Sequence, residues 1–84
     1  MYKIKFKSRI VDGRRKTTAM IFDDSGAVQG GGTVHQFIGD RDVKVIGQKY
    51  ALDRALMVHF KKNERIEIWK QFSNRSKAAK KLMR

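Results

Sequence analysis

Four cationic side chains near the start of the chain stand at alternate positions, namely Lys3, Lys5, Lys7 and Arg9. In an extended strand this alternation places all four on one face, about 6.7 Å apart, because the backbone rises ~3.3 Å per residue. The row is then about 20 Å long and spans roughly six phosphates of one duplex strand. The pattern predicts contacts with a phosphate backbone, and such contacts carry no information about base sequence.

Further cations extend this row. Three follow in the next segment and five close the chain, namely Arg14, Arg15 and Lys16, and Arg75, Lys77, Lys80, Lys81 and Arg84. We predict that these cations and the first four bind nucleic acid, through the cationic strand face and through the C-terminal tail. Lysines on an edge strand also protect a sheet against aggregation, so a merely solvated face is the competing interpretation. Solubility, however, is usually served by a face of mixed sign, whereas residues 3–9 contain no carboxylate.

Two other groups have the chemistry to act on a phosphodiester. Asp23 and Asp24 would hold Mg²⁺ beside it, and His35 with a nearby Lys or Arg would act as general acid and base in metal-independent cleavage of RNA. Asp-Asp-Ser-Gly is, however, an ordinary turn sequence, and a single His in a strand is more often structural. We therefore predict a protein that is not an enzyme and needs no metal or cofactor, with a ribonuclease that uses His35 as the weaker alternative.

Aromatic residues are assigned to the core rather than to base stacking. Tyr50, Trp69 and Phe72 lie at helical spacing among Ile and Leu, and Tyr2 and Phe6 share the apolar face of the first strand. Because none of them is placed on the cationic face, the sequence favours duplex over single-stranded nucleic acid.

The elements that position the cationic row form a three-stranded antiparallel meander over residues 1–38. Apolar residues alternate with the cations and predict a strand with one buried face; this set is Tyr2, Ile4, Phe6, Ser8 and Ile10. Asp12-Gly13 predicts a hairpin turn, and residues 15–22 form the return strand. Asp23-Asp24-Ser25-Gly26 predicts a second turn before a third strand over 27–38.

The third strand contains Gly30-Gly31-Gly32. A run of glycine inside a strand indicates a bulge or a close approach of another backbone. The triplet lacks the residues that accompany a phosphate-binding P-loop or a dinucleotide-binding fingerprint, so we assign it no ligand.

Helical spacing begins after this sheet, within residues 42–72, and Asp40 or Asp42 is the expected N-cap. The apolar residues of 43–60 form two stripes: Val43, Ile46, Tyr50 and Met57 on one side, and Leu52, Ala55 and Leu56 on the other. A helix with two apolar faces is usually covered on both. We expect the sheet on one stripe and either the C-terminal helix or a second copy of the chain, in a homodimer, on the other.

The remainder of the chain leaves one question open. Residues 43–72 fit either one long bent helix or two shorter helices, the second of them capped by Asn63. Residues 73–84 are predicted to form a basic, helix-prone tail that frays in the free protein. The domain organisation is then a single α+β domain over 1–72 followed by that tail.

Composition bounds the class of protein. The chain has 84 residues with 20 Lys and Arg against 8 Asp and Glu, a net charge of +12, concentrated at both ends. The absence of cysteine excludes disulfides, a thiolate nucleophile and Cys-ligated zinc. No apolar run approaches the ~20 residues of a membrane span, and the N-terminal segment lacks the apolar core of a signal peptide. We expect a small cytoplasmic domain without membrane partners.

The order of elements, a β-meander followed by helix, resembles that of small modules that lay a three-stranded sheet against DNA, such as the AP2-type and integrase arm-binding domains. The resemblance concerns this order alone, because none of the characteristic residues of those families can be placed here. We predict a small, non-enzymatic nucleic-acid-binding protein that grips the phosphate backbone. The alternative is a small adaptor or inhibitor, as viruses and mobile elements encode, whose basic face docks on an acidic host protein such as a nucleic-acid-processing machine.

Overall fold

The computed structural model describes residues 1–36, 43–57 and 60–83. Three strands come first, β1 (Lys3–Val11), β2 (Arg14–Phe22) and β3 (Val28–His35), and three helices follow, α1 (Lys44–Ala55), α2 (Lys62–Ser73) and α3 (Lys77–Leu82). The strands form one antiparallel sheet in the order β1-β2-β3. The predicted α+β class and the β-meander are therefore confirmed, and the open question about the helical part is answered by two helices.

The first turn fixes the register of the sheet. Asp12 and Gly13 both have positive φ, +51° and +76°, as the two central residues of a type I′ hairpin turn require. This turn places Val11 opposite Arg14, and the pairing then runs without a shift to Lys3 opposite Phe22. Between β2 and β3 the register shifts once, at Ile21 and Phe22. The bulge predicted at the glycine triplet thus lies immediately before it.

All three helices pack on one side of the sheet, which we call the inner face. The buried core combines Ile4, Ala19 and Ile21 of the sheet with Ala51, Leu52, Ala55 and Leu56 of α1 and its C-cap, with Phe60, with Ile68 and Phe72 of α2, and with Ala79 of α3. α1 lies against β2 and β3, and Phe72 meets Phe6 edge-on beneath β1, with ring centroids 6.0 Å apart. The predicted apolar face of β1 is confirmed except at Ile10, which is 57% exposed beside the hairpin turn.

The close backbone approach predicted for the glycine triplet is confirmed. A Cβ atom on Gly32 would lie 2.5 Å from the Ala51 carbonyl oxygen, and one on Gly30 would lie 2.7 Å from that of Ala55. Only hydrogen fits at these two positions, so α1 lies directly on the backbone of β3.

Helix ends differ from the sequence expectations. Asp40 and Asp42, the predicted N-caps of α1, lie outside the described residues, and Val43 holds the N-cap position without a side-chain hydrogen bond. Asn63 does not cap α2, because that helix already begins at Lys62. Instead the Glu64 carboxylate accepts the backbone N–H of Lys61 at 2.8 Å, which satisfies one of the free donors of the first turn.

The two apolar stripes of α1 differ in solvent exposure. Leu52, Ala55 and Leu56 are buried, whereas Ile46, Tyr50 and Met57 of the other stripe are 38%, 56% and 77% exposed. Of the two coverings expected for the second stripe, the C-terminal helix leaves these three side chains exposed, and a second copy of the chain stays a prediction.

The C-terminal segment is helical and packed rather than frayed. Ser76 caps α3 by accepting the Ala79 N–H at 3.1 Å, and Ala79 is buried against the core. None of the helices in the described part of the chain is long and apolar enough to cross a membrane.

Candidate nucleic-acid interface

The sheet has a second side that points away from the helices, and we call it the outer face. Strand alternation gives it Lys3, Lys5, Lys7 and Arg9 from β1, Lys16, Thr18, Met20 and Phe22 from β2, and Gly31, Thr33 and His35 from β3. All described helices lie on the inner face, so this surface is open. The expectation that the first ten residues sort cations outward and apolar side chains inward holds from Lys3 to Arg9.

The cations of β1 are all exposed, and they are densest at the hairpin end of the outer face. Arg9 stands directly opposite Lys16, and Lys7 lies two residues away on the same strand face. A shallow groove of about 600 Å³ runs here between β1 and β2, lined by Lys7, Ser8, Arg9, Lys16, Thr18 and Met20. Because three cations cluster here, this end of the groove has a positive potential. The like charges placed opposite each other also destabilise the strand pair in the free protein.

No carboxylate offsets these charges within residues 1–36, 43–57 and 60–83. The one ion pair in that part of the chain joins the N-terminal ammonium to Asp24 at 2.8 Å, at the opposite end of the sheet. The β1 cations and Lys16 therefore have no ion-pair partner among the residues that the structure describes.

Asp23 and Asp24, the candidate Mg²⁺ ligands, are used by the turn between β2 and β3. The Asp23 carboxylate accepts the Ser25 hydroxyl, the N–H groups of Ser25 and Ala27 at 2.9 and 3.0 Å, and the Gln29 amide at 2.7 Å. These hydrogen bonds, that of the Ser25 hydroxyl first, lower the pKa of Asp23. In the described residues no three His, Asp or Glu side chains come together as metal ligands.

His35, the residue of the ribonuclease alternative, is exposed on the outer face opposite Lys16. It therefore belongs to the same cationic surface as the row. A catalytic role for it stays a prediction.

Three predicted binding residues lie away from the outer face or at its margin. The Arg15 guanidinium donates to the Ser8 hydroxyl at 2.6 Å, on the side of the sheet that faces the helices. The Arg75 guanidinium donates to the Ile4 carbonyl at 3.2 Å and lies 5.0 Å from the centroid of the Phe6 ring, so it anchors the segment before α3 to β1. Arg14 flanks the hairpin turn and is half-buried.

The lysines of the C-terminal segment are not part of the outer face. Lys77, Lys80 and Lys81 are exposed on α3, in the helical layer on the other side of the sheet. Arg84 lies outside the described residues. The structure thus brings five of the predicted residues together on one surface, Lys3, Lys5, Lys7, Arg9 and Lys16.

Two apolar side chains on the outer face were missed by the sequence reasoning, Phe22 and Met20. Both are half-buried, and the Lys5 ammonium lies 5.5 Å from the centroid of the Phe22 ring. The signal that would have placed them is the Asp12-Gly13 turn, because a two-residue hairpin puts Phe22 opposite Lys3 and therefore on the cationic side.

Comparison of the chain with protein-family models, with curated proteins and with solved structures finds no match. The site is therefore interpreted from its own geometry and charge.

Proposed function

We propose that this protein binds nucleic acid by holding the phosphate backbone against the outer face of its sheet, and that it catalyses no reaction there. The observation that supports this most directly is the set of five cations on an open sheet face to which no described carboxylate is paired. A surface that only maintained solubility would gain nothing from excluding the opposite sign.

The energetics favour a polyanionic partner. Neighbouring cations of the row repel one another in the free protein, and cross-strand like charges such as Arg9 and Lys16 add to that cost. A phosphate backbone reverses the sign of these interactions, and the counterions that it releases drive association. Several phosphates must be engaged together, because a single exposed ion pair contributes at most about 1 kcal/mol.

The test compares two variants with equal loss of charge. In the first, Lys3, Lys5, Lys7 and Arg9 are replaced by Gln; in the control, four exposed lysines of the helical layer are replaced, namely Lys44, Lys61, Lys62 and Lys70. Binding to labelled single-stranded and duplex oligonucleotides is measured by fluorescence anisotropy from about 50 to 200 mM salt, the range over which phosphate contacts are strongly screened.

We expect the unmodified protein to show a slope of log K against log salt near −4 to −5 on duplex DNA, as about five phosphate contacts require. On duplex DNA the β1 variant should lose about 3.6 from the magnitude of that slope and keep its fold, whereas the control should keep most of the slope. Equal losses in both variants would mean undirected attraction to the net charge. An unmodified protein that bound neither DNA nor RNA would exclude the proposal and favour an acidic protein surface as the partner.

A further inference from the structure

We infer that the outer face is built for single-stranded nucleic acid, with one unpaired base stacked on Phe22 while the β1 cations hold the adjoining phosphates. The inference rests on the proposed function and adds the class of nucleic acid to it. The sequence favoured duplex because no aromatic residue had been placed on the cationic side, and Phe22 removes that reason.

A cation lies over an aromatic ring at this position. Phe22 is opposite Lys3, and the Lys5 ammonium lies 5.5 Å from its ring centroid. In one nucleotide the base and the phosphate are likewise neighbours joined by the sugar. A nucleic-acid strand that lies along β1 therefore meets a phosphate site on β1 and an aromatic surface on β2. The two are separated by the distance between neighbouring β-strands, ~4.8 Å.

The apolar surface continues next to the ring, because the β3 partner of Phe22 is Val28, which is 59% exposed. Met20 continues the apolar surface along β2, and its partner on β3 is Gly31, which has no side chain. A methyl group added to Gly31 would meet only the Ala19 carbonyl oxygen, at 3.8 Å, so the space above it is open. One step further, the Thr18 and Thr33 hydroxyls bond to each other at 3.1 Å and close the apolar stretch.

The half-buried ring of Phe22 discriminates between the two forms of nucleic acid. A duplex presents phosphates and the edges of its base pairs, whereas the planes of its bases are hidden in the stack. A single strand can turn a base plane toward an aromatic side chain, and this contact is favourable for every base. An aromatic and a thioether side chain beside a phosphate-binding row are useful only to the single strand.

The experiment uses two substitutions that change no charge. Phe22→Ala removes the ring, and Gly31→Val fills the open space above β3 with a residue that strands accept readily. Asn63→Ala, at an exposed position of α2 away from the outer face, is the matched control that also changes no charge. The probes are labelled oligothymidylate, oligouridylate and a mixed-sequence duplex of the same length, and circular dichroism with thermal melting verifies that each variant is folded.

We expect Phe22→Ala and Gly31→Val each to weaken binding of the two single strands by about 5- to 30-fold, with less than a twofold change for the duplex and an unchanged salt slope. Phe22→Trp should retain or strengthen single-strand binding. The inference is overturned if folded Gly31→Val and Phe22→Ala proteins bind single strands normally, or if single strands and duplex weaken equally. In either case the unmodified protein still binds, which separates this failure from that of the proposed function.

Discussion

The inner and outer faces of the sheet are made by the same three strands, yet they are constrained by different physics. On the inner face Thr17, Ala19 and Ile21 are buried at 1% or less exposure, and the helices fill the space above them. On the outer face the neighbouring positions Lys16, Thr18 and Met20 are half-buried and lie on the side of the sheet away from the described helices. Substitutions on the inner face should therefore change stability, and those on the outer face should change what the protein binds.

The glycine triplet shows this contrast within three consecutive residues. Gly30 and Gly32 point inward, where an added Cβ would overlap the backbone of α1. Gly31 points outward, where it would meet only one ordinary contact. Packing against α1 thus requires glycine at positions 30 and 32, whereas it does not restrict the side chain at position 31.

The largest effect is expected from Gly32→Ala. Its Cβ would lie 2.5 Å from the Ala51 carbonyl and 2.6 Å from the Ala55 nitrogen, so α1 must move away from the sheet. Overpacking of this kind costs about 3 kcal/mol, which lowers Tm by roughly 10 to 20 °C in a domain of this size. Gly31→Ala is the control and should leave stability equal or raise it by about 0.5 kcal/mol, since alanine reduces the entropy of the unfolded chain.

Thermal and urea unfolding followed by circular dichroism measure both variants. Comparable stability of the two proteins would contradict the assignment of Gly32 to the inner face and Gly31 to the outer. A strong loss in Gly31→Ala alone would mean that the two faces are exchanged.

A smaller effect is expected at Arg75, which is cationic but belongs to the inner layer. Its hydrogen bond to the Ile4 carbonyl and its position over the Phe6 ring tie the segment before α3 to β1. We expect Arg75→Ala to cost about 1 kcal/mol of stability, because one hydrogen bond and one cation–π contact are lost. Its effect on nucleic-acid affinity should be smaller than that of Lys7→Ala.

Lys80→Ala serves as the control, because Lys80 is exposed on the neighbouring helix. It should change neither stability nor affinity appreciably. If Arg75→Ala weakens binding as much as Lys7→Ala while Tm is unchanged, Arg75 contacts the nucleic acid. The binding surface then extends from the outer face around the β1 edge of the sheet.

The sequence predicts the sheet well because its signals there are local. Period-two alternation and the Asp12-Gly13 turn together determine the strands, the register and the direction of every β1 and β2 side chain. Phe22 was overlooked although this register already places it opposite Lys3. The face on which each β1 residue of the candidate site lies can therefore be predicted from alternation alone. For the β2 residues it can be predicted once their partners on β1 are counted from the turn.

The C-terminal segment shows what local signals do not contain. Arg75 and Lys80 are alike as charged residues in a basic stretch, and only the fold distinguishes a guanidinium over Phe6 from a solvated ammonium. Ala79 contributes little to the hydrophobic pattern of the sequence. It is nevertheless buried, because its small side chain lets α3 approach the core closely.

The smallest effect is expected in the turn that ends the outer face beside Phe22. Asp23 accepts hydrogen bonds from Ser25, Ala27 and Gln29, and Gln29 is the residue at the bulge. The bonds from Ser25, Ala27 and Gln29 lower the pKa of Asp23 in the folded protein. Because the folded-state pKa lies below the unfolded value, the ionised carboxylate stabilises the fold at neutral pH.

That contribution is complete above the unfolded pKa, near 3.8, and is lost as the pH falls through the lowered value. Asp23→Asn should therefore reduce Tm slightly at pH 7 and flatten the decline of Tm below about pH 4. Asp53→Asn, on the exposed side of α1, should leave the decline unchanged. If Asp23→Asn weakens single-strand binding without changing duplex binding or unfolding the protein, the turn positions Phe22 for its base. If it changes neither, or both equally, the turn has no separate role in single-strand binding.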